Sequence, residues 1–196
     1  MVACERKGEV LSTVRVVAGN SKGRSLVAPP TKTTRPTTDK VKEAIFNTIG
    51  PMFNGGRVLD LFAGSGGLGI EALSRGMDGA IFVDKDMRAL QAIKENLRSC
   101  GYEAKAEVYK AHYKVALSAL KKRELAFDLV MLDPPYAKGL LPNILDTLVK
   151  NELLHEGAQV VCEHDAKTEL TSPKTELIVA KREVYGMIGV TVFRFQ

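Results

Sequence analysis

Tryptophan is absent from this chain, and cysteine and histidine are scarce, three of each among 196 residues. Cys4, Cys100 and Cys162 are an odd number without metal-ligand spacing, which points to reduced thiols and a cytoplasmic setting, not to a disulfide framework. His112, His155 and His164 form no cluster, so no metal site is expected. No apolar run approaches roughly eighteen residues, so no membrane contact is expected. Residues 1–9 carry no apolar segment, and no secretory leader is expected there. Internal repeats and low-complexity tracts are lacking too. The chain is 45% apolar and 26% charged, a balance that excludes global disorder and suits one sizeable core.

The basic surplus is unevenly placed. Residues 1–45 hold nine Lys and Arg against four Asp and Glu, a balance of +5, and the remainder of the chain balances to zero. Such a surplus is either a solvated basic surface or a contact for a polyphosphate, where Lys and Arg gain affinity by displacing counterions.

Residues 1–12 read as a polar leader. Residues 13–17 form a short strand, Gly19-Asn20-Ser21-Lys22-Gly23 is turn material, and residues 24–28 alternate like a returning strand. This is a small basic β-hairpin, ended by Pro29-Pro30 and followed by a Thr/Lys-rich linker to Pro36. Val41, Ala44, Ile45, Thr48 and Ile49 share one helical face, which predicts a helix from about Thr38 to the Gly50-Pro51 stop. From Arg57 onwards strands and helices alternate. Strands are predicted at 58–62, 80–83, 104–109, 127–132 and 158–162, with helices at 66–75, 86–100, 112–123 and 139–151. The tail holds two β-rich segments, 175–185 and 187–195, read as an antiparallel pair joined at Tyr185-Gly186. Repeated βα units predict an α/β, Rossmann-like doubly wound fold, with a parallel sheet covered by helices on both faces.

Two motifs carry chemistry. Asp60-Leu61-Phe62-Ala63-Gly64-Ser65-Gly66-Gly67-Leu68-Gly69 reads as strand, glycine loop and helix start. Glycines there permit a tight turn and close backbone approach, and the helix N-terminus favours an anion or carboxylate. Asp84, at the end of the next strand, suits the two hydroxyls of a ribose. Gly64, Gly66 and Gly69 match the dinucleotide pattern GxGxxG, which alone is a weak signal. Asp60 stands where dinucleotide sites have apolar residues, and it suits a cationic amino group such as that of S-adenosylmethionine (AdoMet). The plainer role for Asp60 is capping of local N–H groups.

The second motif is Asp133-Pro134-Pro135-Tyr136, which follows the apolar strand 127–132. Two prolines cannot continue a sheet, so the strand ends in a rigid extended turn. The plain reading is a strand terminator beside an incidental tyrosine. The sharper reading is a grip on a flat ring bearing an amine. Asp133 and the Pro134 carbonyl would each accept one N–H, drawing the nitrogen towards pyramidal geometry, with the rigid turn supplying electrostatic preorganisation. Tyr136 would stack on the ring, worth about 1–3 kcal/mol in nucleic-acid sites. A base reached in this way is unpaired or flipped out.

With these residues assembled, the chain resembles class I AdoMet-dependent methyltransferases and, more narrowly, the RsmD-type bacterial 16S rRNA guanine-N2 methyltransferases. The resemblance runs from about residue 14 to the end. It rests on Arg15-Val16-Val17-Ala18-Gly19 with Lys22-Gly23-Arg24, on Arg35-Pro36-Thr37 and the helix after it, on the glycine loop, on Asp133-Pro134-Pro135-Tyr136 and on Tyr185-Gly186. It implies a seven-stranded sheet of order 3-2-1-4-5-7-6 with an antiparallel last hairpin, AdoMet as cofactor and S-adenosylhomocysteine as product. It also implies methyl transfer to a guanine N2 of 16S rRNA, free or in a small-subunit particle, by a monomer. Residues 1–36 become leader and RNA-contacting hairpin, and 37–196 the methyltransferase domain. Arg35 and Thr37 then flank the cofactor pocket. Asp60, Phe62, Ala63, Gly64, Ser65, Gly66, Asp84, Lys85, Ala111 and His112 line it, and Asp133, Pro134, Pro135 and Tyr136 act on the base. Arg15, Lys22, Arg24 and Lys32 meet RNA. Many class I enzymes hold the adenine amine with an acid after the third strand. Here that region reads Lys110-Ala111-His112-Tyr113, and His112 or a backbone group stands in its place. From the residues alone, His112 is a helix-start or surface histidine.

Three other readings stay open. A DNA amino methyltransferase, acting on adenine N6 or cytosine N4, normally carries a target-recognition region, which these connections are too short to hold; an amino methyltransferase of another RNA belongs to the same reading. An NAD-dependent oxidoreductase fits the glycine pattern, but nothing downstream resembles a hydride-transfer site. The fold could also serve as a non-catalytic RNA-binding module.

Overall fold

A computed structural model of the protein describes residues 14–29, 39–135 and 139–196. The leader and Lys32, Arg35, Thr37 and Tyr136 lie outside the described residues.

A two-stranded antiparallel hairpin, β1 (Val14–Arg15) and β2 (Ser25–Leu26), precedes helix α1 (Asp39–Ile49). The alternating region follows as β3 (Arg57–Asp60), α2 (Gly67–Ser74), β4 (Gly79–Asp84) and α3 (Met87–Cys100). After a single 3-10 turn come β5 (Ala106–Lys110), α4 (Tyr113–Lys122), β6 (Phe127–Leu132) and α5 (Leu141–Lys150). The chain closes with β7 (Leu154–Asp165), β8 (Leu177–Tyr185) and β9 (Ile188–Phe195).

The sheet runs β5-β4-β3-β6-β7-β9-β8, the order the family resemblance implies, with β3 to β7 parallel and the last pair antiparallel. Alternate residues of each strand serve opposite faces. Val58, Phe82, Met131 and Val161 pack with α1, α2 and α3, and Leu59, Ile81, Val130 and Val160 pack with α4 and α5. The strand order reverses between β3 and β6, and in open α/β sheets ligands bind outside the carboxyl ends of the strands at such a switch point.

The longest departure from expectation is β7. The sequence predicts a strand at 158–162, but pairing starts at Leu154 and reaches Asp165. Its register against β6 jumps from Phe127↔Leu154 to Leu129↔Gln159, with Gly157 at φ 78° in the irregular stretch. The polar run His155-Glu156-Gly157 hides this early start, because an irregular pairing has no period-2 signature.

The hairpin is built into the core. Val14, Val16 and Leu26 are buried with the α1–α3 layer. Gly19, at φ 80°, permits this docking: a Cβ there would lie 1.9 Å from the Ser74 carbonyl oxygen. Beneath it, Glu71 is fully buried and accepts hydrogen bonds from the N–H groups of Val17 (2.8 Å) and Ala18 (2.9 Å). The same carboxylate meets Arg75 Nε at 2.8 Å and Lys42 Nζ at 3.4 Å, and Lys42 also donates to the Arg15 carbonyl. Burial pushes Lys42 below its ordinary value, and the Glu71 charge opposes that fall. Arg75 completes its shell with the Pro51 carbonyl at 3.0 Å and the Phe46 ring. Each buried charge is therefore paired and hydrogen-bonded, the condition on which such a cluster is tolerated.

Candidate active site

Three carboxylates gather at the carboxyl ends of β3, β4 and β6. Asp60 ends β3 beside Met131 of β6, and Leu61 N–H donates to the Met131 carbonyl at 3.2 Å. That pairing sets Asp133, two residues further on, beside Asp60 at the switch point. Asp60 is buried, and its Oδ2 accepts the Gly69 N–H at 3.0 Å. The capping role is thus real, yet it occupies only one oxygen. Oδ1 accepts nothing among the described residues and keeps slight contact with solvent. Burial pushes the Asp60 carboxyl up to about 7; the Gly69 N–H opposes this, and the charges of Asp133 and Asp84 add to it.

The glycine loop turns on backbone that side chains disfavour. Gly64 and Gly66 take φ of 53° and 76°, in the left-handed region. Gly69 is needed for a different reason: a Cβ there would fall 2.3 Å from the Phe82 ring. This is the close helix–strand approach that the third glycine of such loops permits. Asp84 braces the loop, with Oδ2 accepting Gly64 N–H and Oδ1 accepting Asp86 N–H, each at 2.9 Å.

Ala111 sits beside Asp84, donating its N–H to the Asp84 carbonyl at 3.1 Å. His112 is exposed and caps α4, its Nδ1 accepting the Lys114 N–H at 3.4 Å, as a helix-start histidine would. Phe62 packs 5.7 Å from the Tyr113 ring on the same side, and Lys85 is exposed at the rim. Ala63 is anchored through its N–H to the Val83 carbonyl at 3.1 Å.

Asp133 is half-buried and has no hydrogen bond among the described residues. Burial pushes its carboxyl up to about 6, and its oxygens hold unused acceptor capacity among the described residues. Pro134 is buried behind it, and Pro135 is exposed. No group of His, Cys, Asp and Glu among the described residues is arranged to hold a metal ion.

The RNA candidates divide. Arg15 pairs with Asp39 at 2.6 Å, whereas Lys22 and Arg24 are exposed and make no ion pair among the described residues. Sequence reasoning missed Asn96, which is buried in α3 and bonds both the hairpin and the glycine loop. Its signal was an amide three residues after Ile93, on the buried side of the helix. It also missed Glu71, the only charged residue between Gly67 and Ser74. A lone acid in an apolar helix marks a buried partner.

This sheet order, with a glycine loop after its first parallel strand, defines the class I methyltransferase architecture. The family described as "Conserved hypothetical protein 95" matches residues 14–194, and the chain belongs to it, the family of the RsmD-type methyltransferases. YlbH of Bacillus subtilis, whose name marks it as a candidate rRNA methyltransferase, is 49% identical over 181 residues, 92% of this chain and 98% of its own. Ribosomal RNA small subunit methyltransferase D of Escherichia coli is 31% identical, covering 92% of this chain and 89% of its own. The solved structure of yhhF from Escherichia coli, titled as a candidate methyltransferase, superposes with a TM-score of 0.80 at 31% identity, covering 94% of this chain and 98% of that one.

Proposed function

We propose that the protein transfers a methyl group from AdoMet to the exocyclic N2 of a guanine in 16S rRNA. The observation that carries this reading is the half-buried Asp133, without a hydrogen bond among the described residues, held beside Asp60 and the glycine loop. The names of the relatives support small-subunit rRNA as the substrate.

The residues present fit the donor. The spare Oδ1 of Asp60 suits an ammonium group, Asp84 suits ribose hydroxyls, and nothing lies within 4 Å of a Cβ built on Gly64. Three acids make this cleft electronegative, which favours a cation over a dinucleotide pyrophosphate. When bound, AdoMet supplies an electrophilic methyl on a sulfonium. The chain's own contribution is to the nucleophile. A guanine N2 lone pair is delocalised into the ring, and two acceptors on its N–H groups localise it. Asp133 and the Pro134 carbonyl are those acceptors, fixed by a proline turn so that no reorganisation is needed in the transition state. Lining up the nitrogen with the methyl adds the proximity term.

The test is labelled-methyl transfer to small-subunit rRNA or particles from cells lacking the enzyme, followed by nucleoside analysis. The label is expected in N2-methylguanosine. Label in N6-methyladenosine or N4-methylcytosine, or no transfer to either substrate, would overturn the assignment.

A further inference from the structure

Asn96 lies on α3 with 1% of its surface exposed. Its Oδ1 accepts the Val27 N–H at 2.7 Å, and its Nδ2 donates to the Val27 carbonyl at 2.9 Å and to the Ser65 carbonyl at 2.8 Å. Every hydrogen of the amide is used, and the three bonds reach two places: the strand leaving the basic hairpin and the middle of the glycine loop. We propose that Asn96 is a positioning residue that joins hairpin and loop into one body, so that substrate RNA held on the hairpin tightens the methyl donor.

Ser65 stands between two glycines with left-handed backbone. No Cβ restrains its neighbours, so its carbonyl direction is set by what bonds it. Asn96 supplies that bond and thereby orients the peptide plane leading into Gly66, whose N–H donates to the Ala63 carbonyl at 2.6 Å. The hairpin also packs on the helix that follows the loop, Val14 sharing a buried cluster with Leu68 and Ile70 of α2. Glu71 and Ser74 then grip the hairpin from further along α2. An RNA contact at Lys22 and Arg24 therefore restrains Val27 and, through the Asn96 amide that bonds the loop itself, the Ser65 carbonyl; the other links end on α2. Coupling of this kind is reciprocal: if RNA tightens the donor, the donor tightens RNA by the same factor.

The proposal rests on the hairpin being the RNA contact and the loop the donor site. The test is equilibrium binding of S-adenosylhomocysteine, which permits no turnover, with and without saturating unmodified small-subunit rRNA or particles. In the native protein RNA should tighten the ligand by about fivefold or more. Asn96→Ala should abolish that ratio. Asn96→Asp, which keeps the acceptor for Val27 N–H but reverses both donations, should abolish it in a variant that retains one link. Leu120→Ala, on the opposite face of the sheet, lowers stability without touching either partner and should keep the ratio. A ratio of one in the native protein, or an unchanged ratio in a folded Asn96 variant, overturns the coupling while leaving methyl transfer intact. No binding of S-adenosylhomocysteine at all would instead overturn the donor site itself.

Discussion

At the scale of single residues, Asp60 gives the sharpest expectation. Its carboxyl is held near 7 in the fold against an ordinary value of 3.8. Between about pH 4 and 7 the folded protein thus binds more protons than the unfolded chain, so ligand-free stability falls as pH rises through that window and levels off above it. Asp133 adds a slope of the same sign up to about pH 6. Urea midpoints between pH 5 and 8 should show this decline, and Asp60→Asn should flatten it; an equal slope in the variant would contradict the assignment. A cationic amino group beside Asp60 favours its ionised form, so AdoMet affinity should rise between pH 6 and 8 in the native protein and not in Asp60→Asn. Asp60, Asp84 and Asp133 were legible in the sequence because each closes or directly follows a short apolar strand, and the loop glycines because they cluster between a strand and a helix start. Asn96 was not, since its partners lie 31 and 69 positions away and only packing brings them together.

At the scale of elements, the hairpin is a basic tip on a buried base. Neutralising Lys22 and Arg24 should lower the slope of log affinity for rRNA against log salt by about 1–2, with weakening spread evenly over sequences. Adding the Arg15 substitution should change that slope less, because Asp39 already offsets its charge. If Arg15 alone accounts for the slope, the exposed tip is not the contact. The alternating strands and helices were readable to within a few residues, since buried parallel strands are short apolar runs and the helices between them carry apolar stripes. β7 escaped because a bulge breaks its pattern. The depth of the hairpin's docking escaped as well: Val14, Val16 and Leu26 look like any short apolar alternation, and only Glu71, Lys42 and Arg75 reveal what they rest on.

At the scale of the whole molecule, an acidic cleft at the carboxyl edge of the sheet adjoins a basic extension fastened to the same helices. Part of the chain's charge split traces this arrangement: among the described residues the exposed Lys22 and Arg24 belong to the surplus of residues 1–45, and the three acids at the strand ends to the balanced remainder. The fastening is expensive to undo. Glu71→Ala would strand two buried cations and two N–H groups, and should lower stability by about 3–5 kcal/mol in urea unfolding; a loss under about 1 kcal/mol would show that the cluster does not hold the hairpin. At the end of β6, the proposed reaction requires Asp133 to act on the amine to be methylated and not on the donor. Single-turnover methyl transfer by Asp133→Ala, with AdoMet affinity measured on the same preparation, separates the two roles. The rate should fall by at least about a hundredfold while the affinity changes by less than about tenfold. An unchanged rate, or a loss explained entirely by weakened AdoMet binding, would contradict the role on the amine.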